Sequence, residues 1–388
     1  MGCCSGSVFR AALPAALAMS ASFGCAADND MGAIDANMRV PPVKEDGLAW
    51  HSPKNPPFRV SGFAWFEKEK TYRRLPAKPA AALPSNVDYL ANCTAGGKIS
   101  FRSDTTRLAV KVKLVENRVM HNMAPIGHSG FDLYLGPPGG QKYCSSTPLE
   151  AGSLSYQADL HRTDADGWKE FTLNFPLYNG VEEVLVGLSE DAEVAPPSPF
   201  ASDRRIVIYG GSTVQGASAS RPGACHMNIV GRRLNMEVIN LGFSGSGKLE
   251  PEVAELVGGV ERPAVFLVEG ERNAGYDGVR TRLEPFIRIL REKHPQTPIA
   301  IMTASKRARE ALGPDDREKI FAFQKQLAGK LAAEGVYLLD GSEFLGEDFY
   351  ECSIDGTHPT DLGFYRMAEK ITEHLREVLG LCRQSLPR

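Results

Sequence analysis

The chain has 388 residues, with 44 Lys+Arg against 47 Asp+Glu and a formal net charge of −3. That length supports two or three domains at roughly 150 residues each. With 43% hydrophobic and 23% charged residues, the composition excludes disorder and collagen-like repeats, and the absence of a basic excess excludes a dedicated nucleic-acid or anionic-membrane binder.

Arg10 is followed by AALPAALAMSASFGCAA, a small-residue apolar run of signal-peptide type that ends before Asp28. Residues 1–27 are therefore expected to direct export, with cleavage after Ala27. The other exit acylates Cys25, although Ser22-Phe23-Gly24 matches a lipoprotein lead-in poorly. No later run of eighteen apolar residues predicts a membrane-spanning helix. Eight cysteines occur, namely Cys3, Cys4, Cys25, Cys93, Cys144, Cys225, Cys352 and Cys382. Those beyond the leader are widely spaced and lack a CxxC pair, so they fit neither a zinc site nor a dense disulfide framework. A single Cys93–Cys144 bridge is open to an exported β domain.

Residues 28–57 are rich in Pro, Asp and Asn and read as a linker. From 58 to 190 the pattern is strand-like: FRVSGFAWF, KISFRS, LAVKVKLV, FDLYLG, WKEFTLNF and VEEVLVGL. Short alternating runs separated by Gly96-Gly97, Asp166-Gly167 and Asn179-Gly180 predict an all-β sandwich or jelly roll without a helix of useful length. Segment 190–203, EDAEVAPPSPFASD, has linker composition.

Beyond 203 the periodicity changes. Runs that are apolar throughout, at 206–210, 237–243, 264–269, 298–303 and 336–340, alternate with helical patterns at 222–234, 248–258, 276–293, 314–333 and 361–379. Such strands are covered on both faces, as in a parallel sheet with crossover helices. The prediction for 203–388 is a three-layer α/β domain of flavodoxin type, whose ligands sit beyond the carboxyl ends of the strands.

Four segments stand at those ends. Gly210-Gly211-Ser212-Thr213 follows the first strand and is either a plain turn or an exposed nucleophilic serine. Asn240-Leu241-Gly242-Phe243-Ser244-Gly245-Ser246-Gly247 follows the second, as an anion-cradling or merely flexible loop. Glu269-Gly270-Glu271-Arg272-Asn273 follows the third, where Asn273 either donates to an oxyanion or caps the next helix. Ile354-Asp355-Gly356-Thr357-His358-Pro359 follows the last. Its Asp-x-x-His is either a helix cap beside a surface histidine or an oriented general base.

Ser, Gly, Asn and Asp-x-x-His in that chain order resemble the four blocks of the SGNH hydrolase superfamily, the GDSL-like esterases, over residues 203–380. SRPG at 220–223 and FPLYNGVEEVLVGL at 175–188 are similar to a two-domain subgroup that joins a β-sandwich to the esterase domain, as in certain carbohydrate esterases. The resemblance implies Ser212 as nucleophile, His358 as general base, Asp355 or else a backbone carbonyl as its orienter, and an oxyanion hole built from Ser212, Gly245 and Asn273. It implies a metal-independent reaction without a cofactor, on acyl esters of small molecules or polysaccharides, with acetylated carbohydrate foremost. Two departures stand out: Gly211 replaces the Asp of Gly-Asp-Ser, and Asn273 lies in Glu-Arg-Asn-Ala. The second puts Glu271 and Arg272 at the rim, either facing substrate or salt-bridged away from the pocket.

Two rival readings have support. Trp65 and Trp168 could stack on sugars in a carbohydrate-binding protein with an inactive α/β scaffold, although core packing is the plainer role for both. The Gly-rich loop would suit a phosphohydrolase, but His51, His121 and His128 lack metal-ligand spacing. The near-zero net charge fits neutral acylated sugars, which need no electrostatic steering.

Overall fold

The computed structural model describes residues 1–2, 34–44, 46–312 and 316–381. The expected leader cleavage after Ala27, acylation of Cys25, and Cys3, Cys4 and Cys382 lie outside the described residues. The chain forms two compact units, residues 1–40 and 41–388. The described part of the first includes a 3-10 turn at Ala36–Met38, and the second holds the elements that follow.

The strands before residue 200 are β1 (Leu48–His51), β2 (Arg59–Ser61), β3 (Lys98–Ser103), β4 (Arg107–Leu114), β5 (Asp132–Leu135), β6 (Lys142–Ser146), β7 (Ser155–Arg162), β8 (Lys169–Asn174), β9 (Val181–Ser189) and β10 (Val194–Ala195). They pair antiparallel into one sheet of order β1-β9-β4-β7 and a second of order β10-β3-β8-β5-β6, with β2 on β3. Alternation supplies the core: Val110, Val112, Val184 and Val186 of the first sheet pack with Phe101, Phe171 and Leu173 of the second. The Phe101 and Phe171 rings stack at 5.1 Å. Each such side chain contributes about 1.5–3 kcal/mol on burial.

Some details differ from the sequence reading. Leu48–His51, assigned to a linker, is a strand paired with β9. FRVSGFAWF is a strand only at Arg59–Ser61, after which the chain turns into the short helix Phe66–Glu69. Cys93 and Cys144 are both free thiols. Cys93 is buried and donates to the Tyr178 carbonyl (3.0 Å), whereas Cys144 is exposed on β6.

The remaining strands, β11 (Arg205–Gly210), β12 (Val238–Gly242), β13 (Pro263–Val268), β14 (Ile299–Met302) and β15 (Val336–Leu339), form a parallel sheet of order β12-β11-β13-β14-β15. This is the flavodoxin-type order. Successive β11 residues serve opposite layers. Ile206 and Ile208 pack toward helices His226–Leu234 and Asp361–Val378. Val207 and Tyr209 pack toward Pro251–Val257, Glu271–Lys293 and Arg317–Lys330.

The sheet pair and the α/β layers are joined by buried polar contacts. The Arg74 guanidinium, 1% exposed, donates to the carbonyls of Leu90 (2.7 Å), Cys93 (2.8 Å) and Gly242. Its hydrogen bonds all go to backbone oxygens, its guanidinium lies 4.8 Å from the centre of the Phe243 ring, and burial pulls the group down to about 10. It ties the segment before β3 to the end of β12, where one of the site loops begins.

Candidate active site

Ser212 stands two residues beyond β11 and opens the short helix Ser212–Gln215. Its Oγ lies 2.9 Å from His358 Nε2. His358 Nδ1 lies 2.7 Å from Asp355 Oδ2. Residues 146 apart in sequence are thus joined in one hydrogen-bonded line of hydroxyl, imidazole and carboxylate, the arrangement in which an imidazole can accept the hydroxyl proton while the carboxylate holds its other nitrogen.

Local chemistry sets the far end of that line. Asp355 Oδ1 accepts the N–H groups of Thr357 (2.9 Å) and His358 (2.8 Å), an Asx turn. Gly356 occupies it at φ 82°, in the left-handed region that favours glycine. The loop is closed by Ile354 N–H on the His358 carbonyl (3.1 Å) and Thr360 N–H on the Cys352 carbonyl (2.9 Å).

A fourth donor to Asp355 comes from the turn between β4 and β5: Asn122 Nδ2 reaches Oδ2 at 2.9 Å. Burial alone would push the Asp355 carboxyl up. The His358 ring and N–H, the Asn122 amide and the Thr357 N–H outweigh it and hold the group well below the usual carboxylate range. Asn122 carries no local sequence signal, since its partner is 233 positions away. The loop that presents it is pinned through buried Asn179 and Ser129: Asn179 Nδ2 donates to Ser129 Oγ (2.7 Å), and Ser129 Oγ donates to Asn117 Oδ1 (2.8 Å).

The glycine loop after β12 lies against the serine turn. A Cβ on Gly247 would fall 2.2 Å from the Gly210 carbonyl oxygen, so only glycine permits this approach. Within the loop the N–H groups of Ser244, Ser246 and Gly247 are bonded inside the chain. Among the described residues Gly245 N–H, Ser212 N–H and Asn273 Nδ2 have no such partner. Asn273 is close at hand, since a Cβ on Gly211 would lie 2.6 Å from its Nδ2. It sits on a helical turn that breaks at Gly275 (φ 65°, ψ 179°) before the long helix continues.

A cavity of about 470 Å³ opens beside Gly245, lined also by Tyr89, Arg118, Met120 and Tyr178. Tyr178 belongs to both places, because its hydroxyl donates to the Ser212 carbonyl at 3.4 Å. Among the described residues no group of three or more His, Cys, Asp and Glu side chains is placed to hold a metal ion.

Glu271 and Arg272 are engaged within the protein. Glu271 is 5% exposed. Arg272 donates to the Ser305 carbonyl and lies 3.7 Å from Glu310. Desolvating an unpaired guanidinium is costly, so the ion pair draws it inward. The sequence reading overlooked Glu269, 6% exposed, which accepts the Gly211 N–H at 3.2 Å directly behind the serine. Burial, reinforced by neighbouring Glu271, raises its carboxyl to about 7. Trp65 is half-buried against the core, whereas Trp168 is exposed and outside it.

Glu269 makes a pH-dependent contribution of definite sign. The folded chain retains a proton that the unfolded chain releases above 4.5, so stability falls as pH rises from 4.5 to about 7. Glu269→Gln keeps an acceptor for Gly211 and removes the ionisation. Its melting temperature should gain on the wild type across that window, by about 2–3 kcal/mol in stability, and hold the gain above it. Parallel melting curves from pH 4 to pH 8 would refute this.

Residues 203–376 match the GDSL-like lipase/acylhydrolase family, and residues 48–194 match the N-terminus of SGNH hydrolase-type esterases. Among solved structures, a GDSL-like lipase from Bacteroides ovatus is 29% identical over 86% of this chain and 98% of its own, with TM-score 0.79. The salicylyl-acyltransferase SsfX3 of a tetracycline biosynthetic pathway is 18% identical, with TM-score 0.69 and the same coverage. A family two carbohydrate esterase from Cellvibrio japonicus is 14% identical, with TM-score 0.59 and the same coverage; these last two share the fold. No curated protein matched. The chain belongs to the SGNH, or GDSL-like, hydrolases, a superfamily of acyl ester hydrolases.

Proposed function

We propose that the protein is a serine esterase that removes small acyl groups, acetyl foremost, from carbohydrate, with Ser212, His358 and Asp355 as its catalytic triad. The observation that carries this reading is the continuous line from Ser212 Oγ through His358 to Asp355, at 2.9 and 2.7 Å. His358 Nε2 takes the hydroxyl proton as Oγ attacks the ester carbonyl carbon. The oxyanion is received by Ser212 N–H, Gly245 N–H and the Asn273 amide. His358 then returns the proton to the leaving alcohol, and water releases the acyl group from Ser212 by the same steps. An acetyl ester on a sugar suits the moderate cavity beside Gly245. The carbohydrate esterases among the structural neighbours point to the same substrate class. In this reading the antiparallel sheets and residues 203–388 are two domains of one exported enzyme. Acetate release from acetylated xylan and pectin oligosaccharides is the direct test, and failure to cleave any acetylated sugar would remove the carbohydrate assignment.

Asn122 enters as a positioning residue. Asn122→Ala removes a hydrogen bond to a charged group, worth about 1.5–3 kcal/mol. The expected result is a kcat about tenfold or more lower with KM nearly unchanged. The carboxylate that faces His358 would be less compensated, so the acid limb of the pH–rate profile should move upward. A lower melting temperature with kcat and pH profile intact would make the contact merely structural.

A further inference from the structure

A second cavity, of about 420 Å³, lies between the β5–β6 turn and the helices His226–Leu234 and Asp361–Val378. Five cationic side chains line it, Lys142, Arg221, Arg232, Arg233 and Arg376, against one carboxylate, Asp361. Asp361 is already engaged: it accepts Ser220 N–H at 2.9 Å and the Ser220 hydroxyl. Arg221 is also engaged, by buried Asp132 (3.0 Å) and the Tyr134 hydroxyl (2.6 Å). Among the described residues no carboxylate lies in ion-pair contact with Lys142, Arg232, Arg233 or Arg376, although Glu369, Glu373 and Glu377 line an adjoining cavity together with Arg233 and Arg376.

Arg232 is held in place before any ligand arrives. Its Nη2 donates to the Gly223 carbonyl at 2.8 Å, and its guanidinium lies 4.1 Å from the centre of the Tyr134 ring. Its Nη1 is buried without a hydrogen-bond partner. A buried charged donor left unmet is costly, and a ligand oxygen would meet it. Burial draws the group below its ordinary range even with Asp132 nearby. At the rim, Arg233 lies 4.5 Å over the ring of Tyr365, which is half exposed.

We propose that this cavity binds an anionic group of the substrate, a carboxylate or sulfate carried by a sugar, so that the esterase acts on acylated acidic glycans. The inference rests on the esterase reading above. Arg232 Nη1 and Arg233 supply charge-assisted donors, and Tyr365 supplies a ring face for a sugar. Asp361 is three residues beyond His358, so its Cα lies no more than about 11 Å from that of the histidine. In this proposal the charged group of a sugar near the esterified one is placed at these arginines. The net charge of −3 averages over the whole chain and does not speak against a cationic subsite of this size.

The test compares acetylated oligogalacturonate with acetylated xylo-oligosaccharide, using wild type, Arg232→Gln and Arg233→Gln. Both variants should raise KM about tenfold on the acidic substrate while kcat, the neutral substrate and p-nitrophenyl acetate are unaffected. Added NaCl should raise KM for the acidic substrate alone. Arg233→Gln, at the rim, carries the test if Arg232→Gln fails to fold. Equal KM for the two glycans in the wild type, or an unchanged acidic-substrate KM in the folded variants, overturns the proposal. If no ester is cleaved at all, the esterase reading fails and the cavity is judged separately, by calorimetry on the Ser212→Ala protein. Binding of unacetylated oligogalacturonate or of a sulfated oligosaccharide, lost in Arg233→Gln, supports the site and names its anion. Binding of neither removes it.

Discussion

Replacing Ser212 with alanine is expected to lower kcat/KM on p-nitrophenyl acetate by roughly four orders of magnitude or more. The substitution deletes one oxygen, whose assigned role is to form the acyl-enzyme. Oxyanion donors and His358 remain, so a small residual rate above water should survive. Ser212 Oγ bonds His358 Nε2 and no core group, so the melting temperature should move little. A serine-reactive phosphonate should label the wild type and not the variant. Wild-type turnover by Ser212→Ala would remove the triad assignment altogether.

Asp355 carries the second large effect. In Asp355→Asn the amide would present either an oxygen or an N–H to His358 Nδ1, and the N–H choice forces the tautomer that cannot take the serine proton. A loss of about 10²–10⁴ in kcat is expected, with KM changed far less. Asp355→Ala should match it and also loosen the loop, because Thr357 and His358 N–H lose their acceptor. The wild-type carboxyl is held well below the usual carboxylate range. It therefore remains ionised throughout the working pH range, and no limb of the wild-type profile should arise from Asp355. Its stabilising contribution is present above the unfolded carboxylate pKa and lost as pH falls further. Wild-type kcat in Asp355→Asn would assign the orienting task to another acceptor.

Much of this architecture is legible in the chain because burial writes directly on residue type. IVIYG and AVFLV are apolar throughout since both faces of their strands are covered, and their spacing identified the parallel sheet. In the antiparallel sheets the expected strands KISFRS, LAVKVKLV and VEEVLVGL are present. Lys142–Ser146 escaped notice because it is an exposed edge strand with little apolar signature. Ser155–Arg162 turns Tyr156, Ala158 and Leu160 inward, but polar neighbours diluted the alternation. Leu48–His51 is too short and too close to a proline-rich stretch to be read as a strand.

The candidate site divides in the same way. Ser212, Gly245, Asn273 and Asp355-x-x-His358 were legible because each belongs to a short segment at a strand end, where turn chemistry needs particular residues. Glu271 and Arg272 were open to two readings, since charge alone does not say whether a side chain turns to substrate or to an ion pair. Asn122, Glu269 and the convergence of Lys142, Arg232 and Arg233 had no local signal.

By itself the sequence determined the fold class, the order of the elements beyond residue 203 and the four segments facing the ligand edge, because periodicity and turn chemistry are local properties. Only the tertiary structure decided that an amide from the turn after β4 reaches Asp355, that Glu269 is desolvated behind the serine, and that Lys142, Arg221, Arg232, Arg233 and Arg376 line one cavity. Each of these depends on distance and dielectric between residues far apart in the chain, which composition and spacing do not encode.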